Sequence, residues 1–171
     1  MTLFIDTVRR LSQLCGAISA ALLLAAVVVV CQLVVVRYAL RESAIWQHEF
    51  VTFALVGATL IGSPYVLLTR GHVNVDLLPI YLGPRGRLAL ALLASGLSLA
   101  FCLTIAVTGF FWWHEAWAGG WRGDTVWAPP LWIPRLALPV GIGLLSLQYL
   151  ADILALLTGR DMPFGIERPR P

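Results

Sequence analysis

A polar stretch between two long apolar runs reads TRGHVNVDLLP, from Thr69 to Pro79. It contains Arg70, His72 and Asp76, and the last two are four positions apart, so that in a continuous helix they would share a face. An imidazole close to a carboxylate is compatible with haem or metal ligation, with a proton relay, or with structural hydrogen bonding. The elements that position these side chains decide between the three.

The composition indicates a membrane protein. Of the 171 residues, 59% are hydrophobic and 12% are charged, and the mean hydropathy is +0.83. A soluble domain carries about 25% charged residues. All twelve basic residues are Arg, and they flank apolar runs rather than form a patch, which argues against nucleic acid as a partner. The three cysteines lie inside apolar runs and are interpreted as small buried hydrophobes; they are Cys15, Cys31 and Cys102.

Four segments are long and apolar enough to cross a bilayer as helices. The sequence therefore predicts an all-α fold, an integral membrane four-helix bundle that forms one domain over residues 1–171. The first run is too long for a signal peptide and is expected to be an uncleaved span. The predicted spans are approximately 13–36, 45–68, 88–113 and 131–157.

The polar stretch itself has a partly helical pattern. Asn74 is a plausible N-cap, and apolar residues recur at helical spacing after it. This pattern predicts a short amphipathic helix at about 74–82, lying in the interface between spans two and three. The alternative is a solvated loop.

The arginines predict the orientation of the chain. With four spans both termini share a side, and that side carries eight of the twelve Arg residues. The N- and C-termini are therefore predicted to be cytoplasmic. All seven Trp residues belong to the opposite side, where they either anchor the chain in the interface or contact a partner.

Two kinds of chemistry are disfavoured by where the polar residues lie. Haem would need facing histidines inside the membrane, yet His72 is on the inner side while His48 and His114 are at outer span boundaries. A haem- or quinone-binding membrane anchor subunit of a redox complex is thus kept only as the alternative. An ion pathway would need ionisable groups deep in the spans, and the span centres have none. The same absence disfavours a small self-sufficient exporter. The nearest candidate for the ionisable residue of such an exporter is Glu49, at a span edge.

The remaining polar and small residues in the spans are given structural interpretations. Gln32 and Gln148 are expected to make interhelical hydrogen bonds, and Gly141 and Gly143 to permit close helix packing. No nucleophile–base pair, phosphate loop or metal motif is present in the sequence, so we expect no enzymatic activity, no cofactor and no metal. The sequence is typical of a membrane protein that supports a functional partner.

Four motifs, in order along nearly the whole chain, carry a family resemblance. They are VVVRYAL at the end of the first span, WQHEF at the start of the second, RGHVNVDLL after it, and PPLWIPRLALPVGIGLLSLQ at the fourth. The chain resembles the small membrane subunit of tripartite ATP-independent periplasmic (TRAP) transporters. One departure is Arg135, where that family usually has an aromatic or aliphatic residue.

The resemblance implies a function and a set of residues. It implies a subunit that braces a large membrane permease subunit during ion-coupled uptake, most often sodium-driven, of an organic acid that a periplasmic binding protein delivers. Membrane lipid is the other expected partner, in the bacterial inner membrane. Because Arg37 closes the first span and Glu49 opens the second, we also expect the two to lie at the same depth, where they either pair or are each solvated at the interface. We expect His72 and Asp76 to be structural. The structural or partner-contact candidates are Arg37, Trp46, Glu49, Arg70, Gly71, His72, Asp76, Trp132 and Pro139.

Overall fold

A computed structural model describes residues 2–41, 45–69 and 84–158. Helix α1 spans Thr2–Val35 and continues into a π-helical turn, Val36–Leu40; the other helices are α2 (Ile45–Leu68), α3 (Pro84–Ala118) and α4 (Trp132–Leu157). All four are long and apolar enough to cross a membrane. This confirms the predicted all-α membrane fold with four spans.

Helices α1 and α3 are longer than the spans predicted for them. They contain 34 and 35 residues, which at 1.5 Å per residue is about 50 Å each, whereas the hydrocarbon core is about 30 Å thick. Both helices must therefore extend beyond the hydrocarbon or tilt. Since helix ends do not mark the membrane boundary, the span limits remain predictions.

The connection between α2 and α3 lies outside the described residues. The predicted amphipathic helix at about 74–82 falls there, and so do Arg70, Gly71, His72 and Asp76. These predictions are neither supported nor contradicted by the structure.

The four helices form a layer in which α2 and α4 are central. Helix α1 packs mainly on α2 and less on α4, α3 packs on α4, and the described residues show no extensive packing between α1 and α3. The most apolar window of α4 is 33% buried and that of α2 is 28%, against 11% for α3 and 6% for α1. The two outer helices therefore present most of their apolar surface outward.

Small residues allow α1 and α2 to approach closely in antiparallel directions. A Cβ on Gly16 would lie 2.5 Å from the ring of Tyr65, and one on Gly62 would lie 2.6 Å from Ser19 Oγ. The Ser19 hydroxyl donates a hydrogen bond of 2.7 Å to the carbonyl of Ala58. In lipid, where burial of apolar surface does not drive association, close backbone packing and such hydrogen bonds hold helices together.

The interpretation of the cysteines is confirmed at two positions and wrong at the third. Cys15 and Cys102 are buried, but Cys31 is exposed. Sixteen residues separate Cys31 from Cys15 on the same helix, which turns the two side chains about 160° apart. Cys15 faces the neighbouring helices, and Cys31 faces outward.

Candidate functional site

The closest approach between the two central helices is at Gly141. A Cβ at this position would overlap the carbonyl of Leu60 on α2 and lie 2.6 Å from its carbon atom. Pro64 has no N–H to offer the Leu60 carbonyl four residues earlier, and the Ser63 hydroxyl donates to it instead, at 2.8 Å. A proline, a serine and a glycine thus let α4 cross directly over the backbone of α2.

The two glycines of the GIG sequence have different roles. Gly141 is buried at the helix crossing, which confirms its predicted part in close packing. A Cβ on Gly143 would meet nothing within 4 Å, so the same prediction is wrong there. Two residues along a helix correspond to a turn of about 200°, so only one of the pair can face α2.

Pro139, a candidate from the resemblance, lies where α3 and α4 meet. It is inside helix α4, and a Cβ on Gly109 of α3 would lie 3.7 Å from its nitrogen and 2.9 Å from Leu138 Cδ2. Because Pro139 lacks an N–H, the Arg135 carbonyl four residues earlier loses its helical donor. Pro139 and Gly109 together shape the contact between the third and fourth helices.

A buried polar network connects α1 with α4 near the end of the layer opposite the Trp residues. Ser12 Oγ donates to Gln148 Oε1 at 2.7 Å, and Gln148 Nε2 donates to Asp152 Oδ1 at 2.8 Å. Ser12 and Gln148 are 2% and 0% exposed, so both bonds to Gln148 satisfy a fully buried amide. The predicted interhelical bond is confirmed for Gln148. It is wrong for Gln32, which is exposed and bonds no described side chain.

The structure gathers the tryptophans at the opposite end of the layer. Trp46 at the start of α2 contacts Trp127 of the α3–α4 loop with ring centroids 6.4 Å apart, and Trp113 stacks on Trp117 at 5.9 Å. The loop is tied to itself by the bonds from Leu131 N to Trp121 O and from Gly123 N to Pro129 O, each 3.0 Å. Trp46 is 39% exposed and Trp132 is half-buried.

The ion pair between Arg37 and Glu49 is not formed, so that alternative is wrong. Arg37 is exposed on the π-helical turn that ends α1, and the chain leaves that turn through Arg41 in the left-handed region (φ 56°). Glu49 is half-buried, and its enclosed Oε2 has no hydrogen-bond partner among the described residues. An exposed guanidinium and an inward-turned carboxylate do not meet.

Sequence reasoning missed Gln47, which is the most buried of the described polar side chains at the Trp-rich end. It is 3% exposed, and its Oε1, like Glu49 Oε2, has no donor within the described residues. No sequence signal marks it, because Gln47 lies in the polar first turn of α2, where a side chain is usually solvated. Its burial results from the packing of α2 in the centre of the layer.

The described histidines give no support to the haem or quinone alternative. His48 and His114 are both exposed, on α2 and α3, which do not pack extensively on each other. His114 instead stacks on Phe110 of its own helix at 6.3 Å. Within residues 2–41, 45–69 and 84–158, no group of three or more His, Cys, Asp or Glu side chains is placed to hold a metal ion.

Comparison with known proteins agrees with these features. Residues 26–159 match the family described as "Tripartite ATP-independent periplasmic transporters, DctQ component". The chain is also similar to the C4-dicarboxylate TRAP transporter small permease protein DctQ of Vibrio cholerae serotype O1, with 26% identity over 148 residues, 74% of this chain and 64% of the relative. It therefore spans just under two thirds of that relative's length. The chain belongs to the DctQ family of TRAP transporter components, as a multi-pass protein of the bacterial inner membrane and not an enzyme.

Proposed function

We propose that the chain is the small permease subunit that braces the large membrane subunit of a TRAP transporter. In this role it would stay fixed in the membrane while the large subunit, which holds the substrate and ion sites, carries out transport. Family membership and the name of the Vibrio cholerae relative support the assignment to a small permease. The bracing role is supported by how the helices are held.

The observation that carries the proposal is the combination of fixed helix contacts with apolar span centres. Gly141 lies against the backbone of α2, Gly62 lies against the Ser19 side chain of α1, and the Gln148 network adds a fully buried polar connection. Packed interiors of this kind resist gradual deformation. The centres of the spans contain no Asp, Glu, Arg or His, and moving an ion through them would need such groups or backbone ligands. Fixed helix contacts and apolar span centres suit a supporting subunit better than a subunit that carries the ion or the substrate.

The exposed faces of the outer helices offer the area that a large membrane partner needs. Helices α1 and α3 are both long and little buried within the chain.

We place the Arg-rich side in the cytoplasm and the Trp-rich end at the periplasmic surface, next to the binding protein, on the basis of the arginine distribution. Gln47 Oε1 and Glu49 Oε2, which accept no hydrogen bond from the described part of the chain, lie at that end.

The transported substrate is proposed only as a class. We infer an organic acid, delivered by a periplasmic binding protein and taken up with sodium, as the resemblance implies. C4-dicarboxylates, which the relative's name specifies, are one group within that class. None of the described side chains is placed to select one acid over another.

Co-purification tests the proposed assembly most simply. The tagged chain is expressed with the large permease subunit from the same operon and extracted in mild detergent. We expect the large subunit to be retained in a fixed ratio, and an unrelated four-span protein with the same tag to retain none. Recovery of the tagged chain alone, with the large subunit present in the same membranes, would contradict the proposal.

A further inference from the structure

Arg135 is held between two aromatic rings at the Trp-rich end of the layer. Its guanidinium carbon lies 4.1 Å from the ring centroid of Trp112 on α3 and 4.9 Å from that of Trp121 in the α3–α4 loop. Two separate elements therefore fix one cation near the start of α4. We call these three residues the arginine clamp.

The clamp stabilises the charge of Arg135 but leaves its hydrogen bonds unmade. Aromatic faces attract a cation but accept few hydrogen bonds, and a guanidinium has five N–H donors. Arg135 makes no ion pair or hydrogen bond through its side chain with any described residue, and its enclosed Nη1 lacks an acceptor. Arg135 is half-buried, and Trp112 and Trp121 are 46% and 44% exposed, so the clamp lies at the surface of the layer.

Farther along α3, toward the middle of the membrane, the face that carries Trp112 also carries exposed apolar side chains. Phe101 and Leu97 precede Trp112 on α3 by eleven and fifteen residues, which places them on nearly the same face of the helix. Each is 66% exposed. Phe101 is roughly 16 Å deeper than Trp112 at 1.5 Å per residue, a distance within reach of an acyl chain whose headgroup is at the clamp.

We propose that the arginine clamp binds the phosphate of a membrane phospholipid, whose acyl chain lies along the Phe101 face of α3. Trp residues of membrane proteins are enriched at headgroup depth, and an arginine near a helix end extends its side chain to the same level. A phosphate diester supplies the anionic acceptors that the guanidinium lacks, and it suits the planar fork of donors. A free phosphate ion would satisfy the donors but would leave the apolar strip without an occupant.

Lipid retention by the purified full chain tests this proposal. The chain is delipidated in detergent and titrated with dioleoylphosphatidylglycerol, and binding is followed by native mass spectrometry and by tryptophan quenching with the brominated lipid. Arg135→Gln removes the cation from the clamp. Arg37→Gln is the matched control, because it removes an exposed guanidinium at the same end of the layer.

We expect Arg135→Gln to weaken phosphatidylglycerol binding about tenfold and Arg37→Gln to leave it unchanged. Dioleoylglycerol, which lacks the phosphate, should bind the wild type and Arg135→Gln equally, and inorganic phosphate should not displace the phospholipid at millimolar concentration. If Arg135→Gln does not fold, Arg135→Lys replaces it, and it should weaken binding because an ammonium lacks the planar fork.

Three results would overturn the proposal. One is phosphatidylglycerol binding that is unchanged in both Arg135 variants. Another is displacement of the lipid by inorganic phosphate, which would make the clamp a site for free anions. The third is protection of Arg135 from guanidinium-reactive reagents by the assembled transporter but not by phosphatidylglycerol, which would assign the clamp to a protein carboxylate.

Discussion

Single small residues set the distance between the central helices, and the two glycines of α4 provide a direct comparison. Gly141→Ala would place a methyl group against the backbone of Leu60. Backbone cannot move aside like a flexible side chain, so we expect a loss of about 1–3 kcal/mol in the free energy of unfolding. Reversible unfolding in mixed detergent measures it.

Gly143→Ala is the matched control for that substitution. It lies two residues away on the same helix and opens onto free space. Removing a glycine from a helix interior should there stabilise by about 0.5–1 kcal/mol. Equal effects of the two substitutions would show that α2 and α4 do not cross at Gly141.

The network around Gln148 makes a second prediction at the level of single residues. Ser12→Ala leaves the fully buried Gln148 Oε1 without its donor from α1. A buried polar group without a partner costs about 1–3 kcal/mol of stability, and a hydrogen bond between membrane helices contributes about 0.6 kcal/mol on average. We therefore expect Ser12→Ala to lower the free energy of unfolding by about 1 kcal/mol.

A double-mutant cycle with Gln148→Leu separates this bond from other effects of the substitutions. The two changes should be non-additive, because each removes the same interaction. Gln32→Leu, at an exposed glutamine of α1, should leave the free energy of unfolding nearly unchanged. Additive losses from Ser12→Ala and Gln148→Leu would count against a direct bond.

The sequence could identify these residue types but not the faces on which they lie. It named two glutamines and two glycines for interhelical contacts, and in each pair the structure assigns the role to one member, Gln148 and Gly141. The helices are apolar on nearly every side, so the periodicity that separates inside from outside in a soluble helix is weak here. Which side is covered depends on the neighbouring helices.

At the scale of elements, length and composition were enough to predict four helices but not their arrangement. Each predicted span is longer than the roughly 20 residues that a crossing needs, with charged residues only near its ends. The helices therefore follow from the sequence directly. Their arrangement as a layer depends on where small residues meet across helices, which no local pattern reveals. Local sequence likewise does not reveal how the helix ends are arranged. Examples are the π-helical turn at Val36–Leu40 and the absence of an ion pair between Arg37 and Glu49.

The connection between α2 and α3 gives a prediction that rests on the sequence. We expect His72 and Asp76 to hold this connection through hydrogen bonds in the half-dry interface, with no role in chemistry. His72→Ala should lower the amount of assembled transporter and reduce uptake in proportion, and His72→Asn should be milder. Uptake normalised to assembled complex measures this.

An exposed histidine supplies the control for the His72 variants. His48 lies on α2 at the other end of the layer, and His48→Ala should leave assembly and uptake unchanged. If His72→Ala assembles fully yet abolishes uptake per complex, or shifts its dependence on pH, then His72 takes part in transport and the structural interpretation is wrong.

At the scale of the whole molecule, the layer is suited to being one part of a larger membrane assembly. Its central helices are in close backbone contact at Gly141, and its outer helices present wide apolar faces. In the role that we propose, the chain would enlarge the rigid part of a transporter and leave ion and substrate binding to its partner. The arginine clamp, which the resemblance did not anticipate, would add a lipid contact specific to this chain.

The most direct test of the bracing role is sodium-driven uptake in proteoliposomes. Vesicles contain this chain alone, the large permease subunit alone, or both, with the same binding protein loaded with a labelled organic acid outside. We expect uptake only when both membrane subunits are present and a sodium gradient is applied. Uptake by vesicles that contain this chain without the large subunit would contradict it.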